Sequence, residues 1–200
     1  MQMEQWLSLY IFIITLYGLY KLVPLVIRYK ALVQIFFTIS ILSLSIHSVL
    51  TIAHLKGGEW ANLVAILCVL SGLLESIRLS KPVYFRYPVY FSFLPLISLL
   101  FYPIVLDSLV ISNLVIATYQ GGAALVATLI IILQHFRNHK AYNQLLGVVL
   151  ILISYILHWF TSDYSTITIL LFGVGLILIS KGYAQAIEIS FNTKHANAKR

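Results

Sequence analysis

The second long apolar stretch of the chain carries a regular series of polar side chains. Ser40, Ser43, His47, Thr51 and His54 follow one another at intervals of three or four residues, so on an α-helix they project from one face. Histidine can change its charge near neutral pH, and hydroxyl groups both donate and accept hydrogen bonds. The series predicts either a polar surface that binds a small solute or a polar seam between packed helices.

Polar residues also occur within other apolar stretches. Gln120 and His158 each share a helical face with small residues, and Tyr17 offers an aromatic ring as a wall for a bound molecule. We expect these faces to converge on a polar cleft within the bundle that binds, transports or senses a small solute. The predicted substrate-binding residues are Ser43, His47, His54, Gln120, His158 and Tyr17.

Three charged residues are predicted to lie inside the membrane near its cytoplasmic side. A charge at the centre of a membrane helix costs about 2.5–3.5 kcal/mol on insertion scales, so Lys21, Glu75 and Lys181 each need a compensating contact. One interpretation is a buried cluster in which Glu75 bridges the lysines and forms a gate or an anion site. The alternative is that the lysines extend to the lipid headgroups while Glu75 pairs with Arg78, three residues further on.

Histidines and acidic residues are also the usual protein ligands of zinc, which makes a membrane-embedded metal-dependent hydrolase the third interpretation. No His-x-x-x-His or His-x-x-Glu-His spacing supports it, and we expect no metal, no cofactor and no catalytic residue. Cys68 is the only cysteine, so a disulfide within the chain is excluded. The candidate ligands would be His47, His54, His158, Glu59, Asp107 and Asp163.

Helices in a lipid bilayer must position all of these residues. Of the 200 residues 60% are hydrophobic and only 10% are charged, and the mean hydropathy is +0.95, which is too apolar for a soluble core. Seven segments approach the ~20 residues that cross a bilayer. We predict an all-α integral membrane bundle over residues 1–190 and a short basic tail over 191–200, with spans at 5–27, 31–55, 60–80, 87–106, 109–134, 141–160 and 165–189.

The basic residues determine the expected orientation, because Lys and Arg collect in cytoplasmic loops. With seven spans, one side of the membrane receives Arg28, Lys30, Arg78, Lys81, Arg86, Arg137, Lys140, Lys194, Lys199 and Arg200, and the other receives Lys56 with Glu4, Glu59, Asp107 and Asp163. We therefore expect an external N-terminus and a cytoplasmic C-terminus in the inner membrane of a bacterium. The net charge of +7 is explained in this way and not by nucleic acid.

A weak internal repeat is visible at an offset of 110 residues. The segment 30–34 (KALVQ) resembles 140–144 (KAYNQ), and Gly72 and Ser80 correspond to Gly182 and Ser190. Two parallel three-helix units would then flank a fourth helix, whose three prolines predict a bend or a hinge. This 3+1+3 plan resembles the SWEET and PQ-loop transporters, which implies seven helices and an external N-terminus. No Pro-Gln pair stands in the first or fifth helix, so no binding residue is carried over.

A function of a different class remains open from the sequence. Small residues at helical spacing permit close helix contacts in lipid, so the chain could be a non-catalytic accessory or scaffold subunit of a membrane complex, or a homo-oligomer. Membrane lipid is the one partner expected under every interpretation.

Overall fold

The fold is known from a computed structural model that describes residues 3–80, 86–105, 109–138, 142–160 and 165–198. These ranges contain no strand. They form six long helices, each apolar enough to cross a bilayer, and one broken helical segment, α4, at residues 89–105. The predicted all-α multi-pass membrane bundle is therefore confirmed. The long helices are α1 (Met3–Tyr29), α2 (Leu32–Ile52), α3 (Gly58–Ser80), α5 (Leu109–Asn138), α6 (Tyr142–Phe160) and α7 (Ser165–Ala198).

Proline explains why α4 is broken. The residue lacks an N–H group and fits only the first turn of a helix, so each proline of this segment stands where a new turn begins. Pro88 precedes the first turn, and Pro95 and Pro103 are the second residues of later ones. The continuous helix predicted over residues 87–106 is thus replaced by the short turns Val89–Phe93, Leu94–Ile97, Ser98–Leu100 and Tyr102–Val105, the first and third of which are 3₁₀.

Although broken, α4 extends along most of α3. At one end Arg78 Nη1 donates a hydrogen bond of 3.4 Å to the carbonyl of Tyr87. At the other end the rings of Trp60 and Tyr102 meet edge to face, with their centroids 5.0 Å apart. Trp60 and Arg78 are 18 positions apart, about 27 Å along a helix that rises ~1.5 Å per residue. The segment therefore extends across nearly the ~30 Å thickness of the hydrocarbon and serves as the fourth crossing.

This fourth crossing gives the odd-numbered helices a common direction. Tyr10, early in α1, donates a hydrogen bond to the carbonyl of Leu170, early in α7. Further along both helices, a Cβ atom added to Gly18 would lie 3.3 Å from Oγ of Ser180, so α1 and α7 run parallel. We call the surface at which α1, α3, α5 and α7 begin the N-side, and the surface at which they end the C-side.

The long helices form a closed ring in the order α1, α2, α3, α5, α6, α7, and α7 packs back on α1. Within the described residues α4 stands outside this ring, against α3 and the start of α5. Around the ring, α1, α2 and α3 are neighbours in that order, and so are α5, α6 and α7. Helix α2 therefore lies opposite α6. Their first residues, Leu32 and Tyr142, are 110 positions apart, which is the offset of the sequence repeat. The arrangement agrees with the 3+1+3 plan.

Helices α6 and α7 approach each other backbone to backbone at two glycines. A Cβ atom added to Gly147 would lie 2.7 Å from the carbonyl oxygen of Gly175, and one added to Gly175 would lie 2.8 Å from the carbonyl oxygen of Gly147. Only residues without a side chain allow the two backbones to approach this closely.

Two predicted boundaries differ from the structure in ways that affect function. Helix α2 ends at Ile52, so His54 does not belong to it. Helix α7 continues to Ala198, so the polar residues after 190, expected as a short tail, extend the last helix beyond the apolar span. Polar residues can remain helical there because water satisfies their side chains.

Candidate functional site

The six long helices surround a partly open cavity of about 950 Å³. All six long helices line it, whereas none of the described residues of α4 does. On α1 the lining extends from Leu7 to Tyr29, 22 positions or roughly 33 Å along the helix axis. The volume lies at the upper end of the roughly 300–1,000 Å³ that is typical of small-molecule pockets. The cavity therefore follows most of the length of the bundle.

The middle of the cavity is apolar. Ala123 and Ala124 on α5 are buried and leave the centre open, and no Lys, Arg, Asp or Glu occurs among the described residues of the lining. Polar side chains are concentrated toward the two ends, although Ser40 lines the cavity beside Ile41, so the predicted polar cleft is a mainly apolar cavity with polar ends. The apolar residues of the middle include Ile41, Leu44, Ile66, Val69, Ile151, Phe172 and Leu176.

Three of the predicted binding residues line the N-side end of this cavity. The Nδ1 atom of His47 lies 2.8 Å from the carbonyl oxygen of Gly58, so Nδ1 carries a proton and donates it, which leaves Nε2 as an acceptor in the neutral ring. His158 is exposed and meets Trp159 edge to face at 5.6 Å. Gln120 completes the set on α5. These groups can bind a polar atom; the two histidines lie near the N-side end, and Gln120 lies one turn from the central Ala123 and Ala124.

The other three predicted residues do not line the cavity. Ser43 is buried in helix packing, and the ring of Tyr17 lies 5.9 Å from the ammonium group of Lys21. His54 follows the end of α2 with a φ angle of +53°, and its Nε2 atom lies 2.8 Å from Nε2 of Gln5. The regular spacing on α2 predicted a continuous polar face, but the helix stops before its last member.

The structure does not bring the three predicted buried charges together. Glu75 is buried, and its two carboxylate oxygens accept hydrogen bonds of 2.7 Å each from Nε and Nη2 of Arg78. Ser92 on α4 donates a third, of 2.5 Å. Lys181 is exposed, and no ion pair joins Glu75 to it or to Lys21 within the described chain. The local Glu75–Arg78 pair, the predicted alternative, is confirmed, and it anchors α4 to α3.

Two glutamines that the predicted set omits line the C-side end. Gln34 and Gln144 are the third residues of α2 and α6, and their side chains are 5% and 6% exposed. Neither side-chain amide forms a hydrogen bond with another described residue, and Oε1 of Gln34 is fully shielded. Buried amides are normally paired, so this absence is unusual. The sequence repeat could have identified this pair, since it aligns Gln34 with Gln144.

The repeat extends to the rest of the lining. Several pairs of residues that are 110 positions apart contribute to the cavity from corresponding helices of the two units. Such a correspondence is expected when a pseudo-twofold axis passes through a central cavity. Besides the glutamines, the pairs include Ile41 with Ile151, Ile66 with Leu176, Val69 with Ile179 and Leu73 with Tyr183.

A metal site finds no support among the described side chains. No three His, Cys, Asp or Glu residues of that part of the chain lie close enough to hold an ion. Two of the candidate ligands, Asp107 and Asp163, lie outside the described residues.

No protein-family model matches the chain, and no match was found among the curated proteins or among the solved structures. The function must therefore be argued from the cavity itself.

Proposed function

We propose that the protein binds a neutral, mainly apolar molecule inside the helix ring, as a carrier or a receptor for that molecule in the membrane. The observation that carries this proposal is the cavity of about 950 Å³, with an apolar middle and no Lys, Arg, Asp or Glu among the described residues of its lining. Polar residues at both ends would orient the bound molecule along the bundle.

The lining determines the class of ligand. A charged molecule would leave water for a cavity whose described lining offers no opposite charge, and that transfer is strongly unfavourable. Ions, amino acids and nucleotides are therefore poor candidates. A molecule with a long apolar body gains dispersion contacts with the aliphatic and aromatic walls instead.

The volume distinguishes this proposal from a purely structural role. While it holds only water, an apolar space of this size loses dispersion contacts and hydrophobic free energy, so an apolar occupant stabilises it. Apolar cavities readily accept apolar molecules of suitable size. A scaffold subunit, the alternative class, requires no such internal space.

Photochemical labelling tests the proposal. An octadecane that carries a diazirine is irradiated with the purified protein in detergent, and the labelled peptides are mapped by mass spectrometry. We expect label on the lining, and we expect Ala124→Phe to reduce it about tenfold, about 1.4 kcal/mol of binding free energy, because the new ring occupies space along the path of the alkyl chain.

The control for this experiment is Leu125→Phe, which places the same ring on the adjacent residue, outside the described lining and 58% exposed. It should leave the labelling unchanged. Ala127→Phe provides a second obstruction of the cavity one turn away. Label confined to outward-facing residues in the unmodified protein, or full labelling in both obstructed variants after each elutes as a folded species, would contradict the proposal.

We further infer that the C-side faces the cytoplasm, because Arg28, Lys30, Arg78 and Arg86 lie at this end whereas Lys56 lies at the other. Single cysteines at Lys56 and Arg86, both exposed, test this in a Cys68→Ser background. A membrane-impermeant maleimide added to intact cells should label Lys56→Cys and spare Arg86→Cys until the cells are lysed. The reverse pattern would invert the topology.

A further inference from the structure

We propose that Gln34 and Gln144 together form a head-group site at the C-side end of the cavity, for an uncharged group that carries both hydroxyl and carbonyl oxygens, as in a monoacylglycerol. This inference rests on the proposed function, which supplies the apolar space for the attached chain. It adds the chemical class of the ligand and the direction in which the ligand lies.

The first argument is that the two amides have unused hydrogen-bonding capacity. A glutamine side chain offers two N–H donors and one oxygen that can accept two hydrogen bonds. Both side chains are more than nine-tenths buried, both line the cavity, and neither bonds to another described residue. By contrast Asn143, next to Gln144, donates a hydrogen bond of 3.1 Å to Gln185. The side-chain amide of Gln144, which faces the cavity, is therefore unpaired, whereas that of Asn143 forms a hydrogen bond.

The second argument is the position of the two amides. Gln34 and Gln144 occupy the same register of α2 and α6, which stand on opposite sides of the ring. A group between them can therefore be held from both sides. Ser180 and Tyr183 on α7 line the same end and add hydroxyl groups. The site has partners for several polar atoms of one small head group.

The third argument concerns charge. Amides and hydroxyls donate and accept, but no Lys or Arg occurs among the described lining residues to neutralise a carboxylate or a phosphate. A glycerol ester satisfies this set, since a hydroxyl donates to the side-chain oxygen of Gln144 and the ester carbonyl accepts from the glutamine N–H groups. Its single acyl chain then extends through the apolar middle toward His47 and His158 at the N-side.

A comparison of photoreactive probes tests the head-group site. Diazirine-bearing 1-oleoylglycerol, octadecane and oleic acid are compared on the unmodified protein and on a Gln34→Leu/Gln144→Leu variant. We expect the glyceride to label the lining about tenfold more efficiently than the alkane, a difference that two or three hydrogen bonds supply, and the variant to abolish this preference while alkane labelling persists.

The outcomes separate the two proposals. Equal labelling by glyceride and alkane in both proteins would overturn the head-group site and leave the proposed function standing. Absence of any probe from the lining would overturn the proposed function itself. A preference for oleic acid would overturn the argument from charge.

Thermal stability provides a second measurement, which distinguishes a binding residue from a structural one. In protein stripped of lipid, Gln34→Leu should raise the melting temperature, because it replaces an unpaired buried amide with an apolar side chain of similar size. Added 1-oleoylglycerol should raise the melting temperature of the unmodified protein more than that of the variant. Asn143→Leu is the control and should show the opposite pattern, with no gain in stability and a full response to the glyceride. A lower melting temperature for Gln34→Leu would contradict the site.

Discussion

Arg78→Ala is expected to lower the melting temperature of the protein in detergent by roughly 10 °C, because removal of one partner from a buried ion pair leaves the other charge uncompensated. The side chain of Glu75 is 4% exposed and receives two hydrogen bonds from this arginine. Ser92 alone would remain to stabilise the carboxylate. Differential scanning fluorimetry of the purified variant measures the effect.

Two controls make this result specific to the pair. Lys181→Ala removes an exposed basic residue at the same end of the bundle and should change the melting temperature little. The double variant Glu75→Ala/Arg78→Ala removes the orphaned charge as well, so it should be more stable than Arg78→Ala. A double variant no more stable than the single one would show that the carboxylate does not depend on its arginine.

Gly147→Val is expected to prevent accumulation of the folded protein. The new Cβ atom would lie 2.7 Å from a backbone oxygen of α7 and 2.9 Å from the backbone nitrogen of Ile179, and neither backbone atom can move independently of its helix. Helix α7 would have to separate from α6, and the ring would open at this backbone contact. Gel filtration after extraction in mild detergent measures the folded fraction.

Gly122→Val is the matched control, because a Cβ atom at this glycine meets nothing within 4 Å. Both substitutions place the same β-branched residue within a membrane helix, so a difference between them reflects packing and not helix propensity. Equal yields of folded protein from the two variants would show that the glycine contact is not required for assembly.

The long helices could be predicted from the sequence because the hydropathy and charge of a segment depend on that segment alone. Lipid offers no water to the backbone, so each apolar segment must pair its own N–H and C=O groups. An uninterrupted apolar segment does this by forming a helix. The fourth segment was harder, since Pro88, Pro95 and Pro103 predict a bend but do not reveal how many turns survive. Its path is set by contacts with α3, through Ser92 at one end and Tyr102 at the other, and these depend on tertiary structure.

The candidate site was predicted less completely. His47, Gln120 and His158 line the cavity, since a polar residue on an apolar helix tends to face the interior, and their binding role stays a prediction. Ser43 and His54 were placed with them because spacing identifies a helical face but not the neighbour that covers it, nor the residue at which the helix stops. Gln34 was missed as a site because one polar residue at a helix end is a weak signal until its counterpart across the ring is known.

The path of α4 also determines at which end of the bundle each of the two glutamines lies. Because this segment crosses the membrane, the second unit enters the bilayer with the same polarity as the first during synthesis, and Gln144 reaches the same face as Gln34. Without that crossing the second unit would insert upside down, and its glutamine would lie on the far leaflet, nearly 30 Å away. The least regular part of the chain thus places the two glutamines at the same end of the bundle, as the proposed head-group site requires.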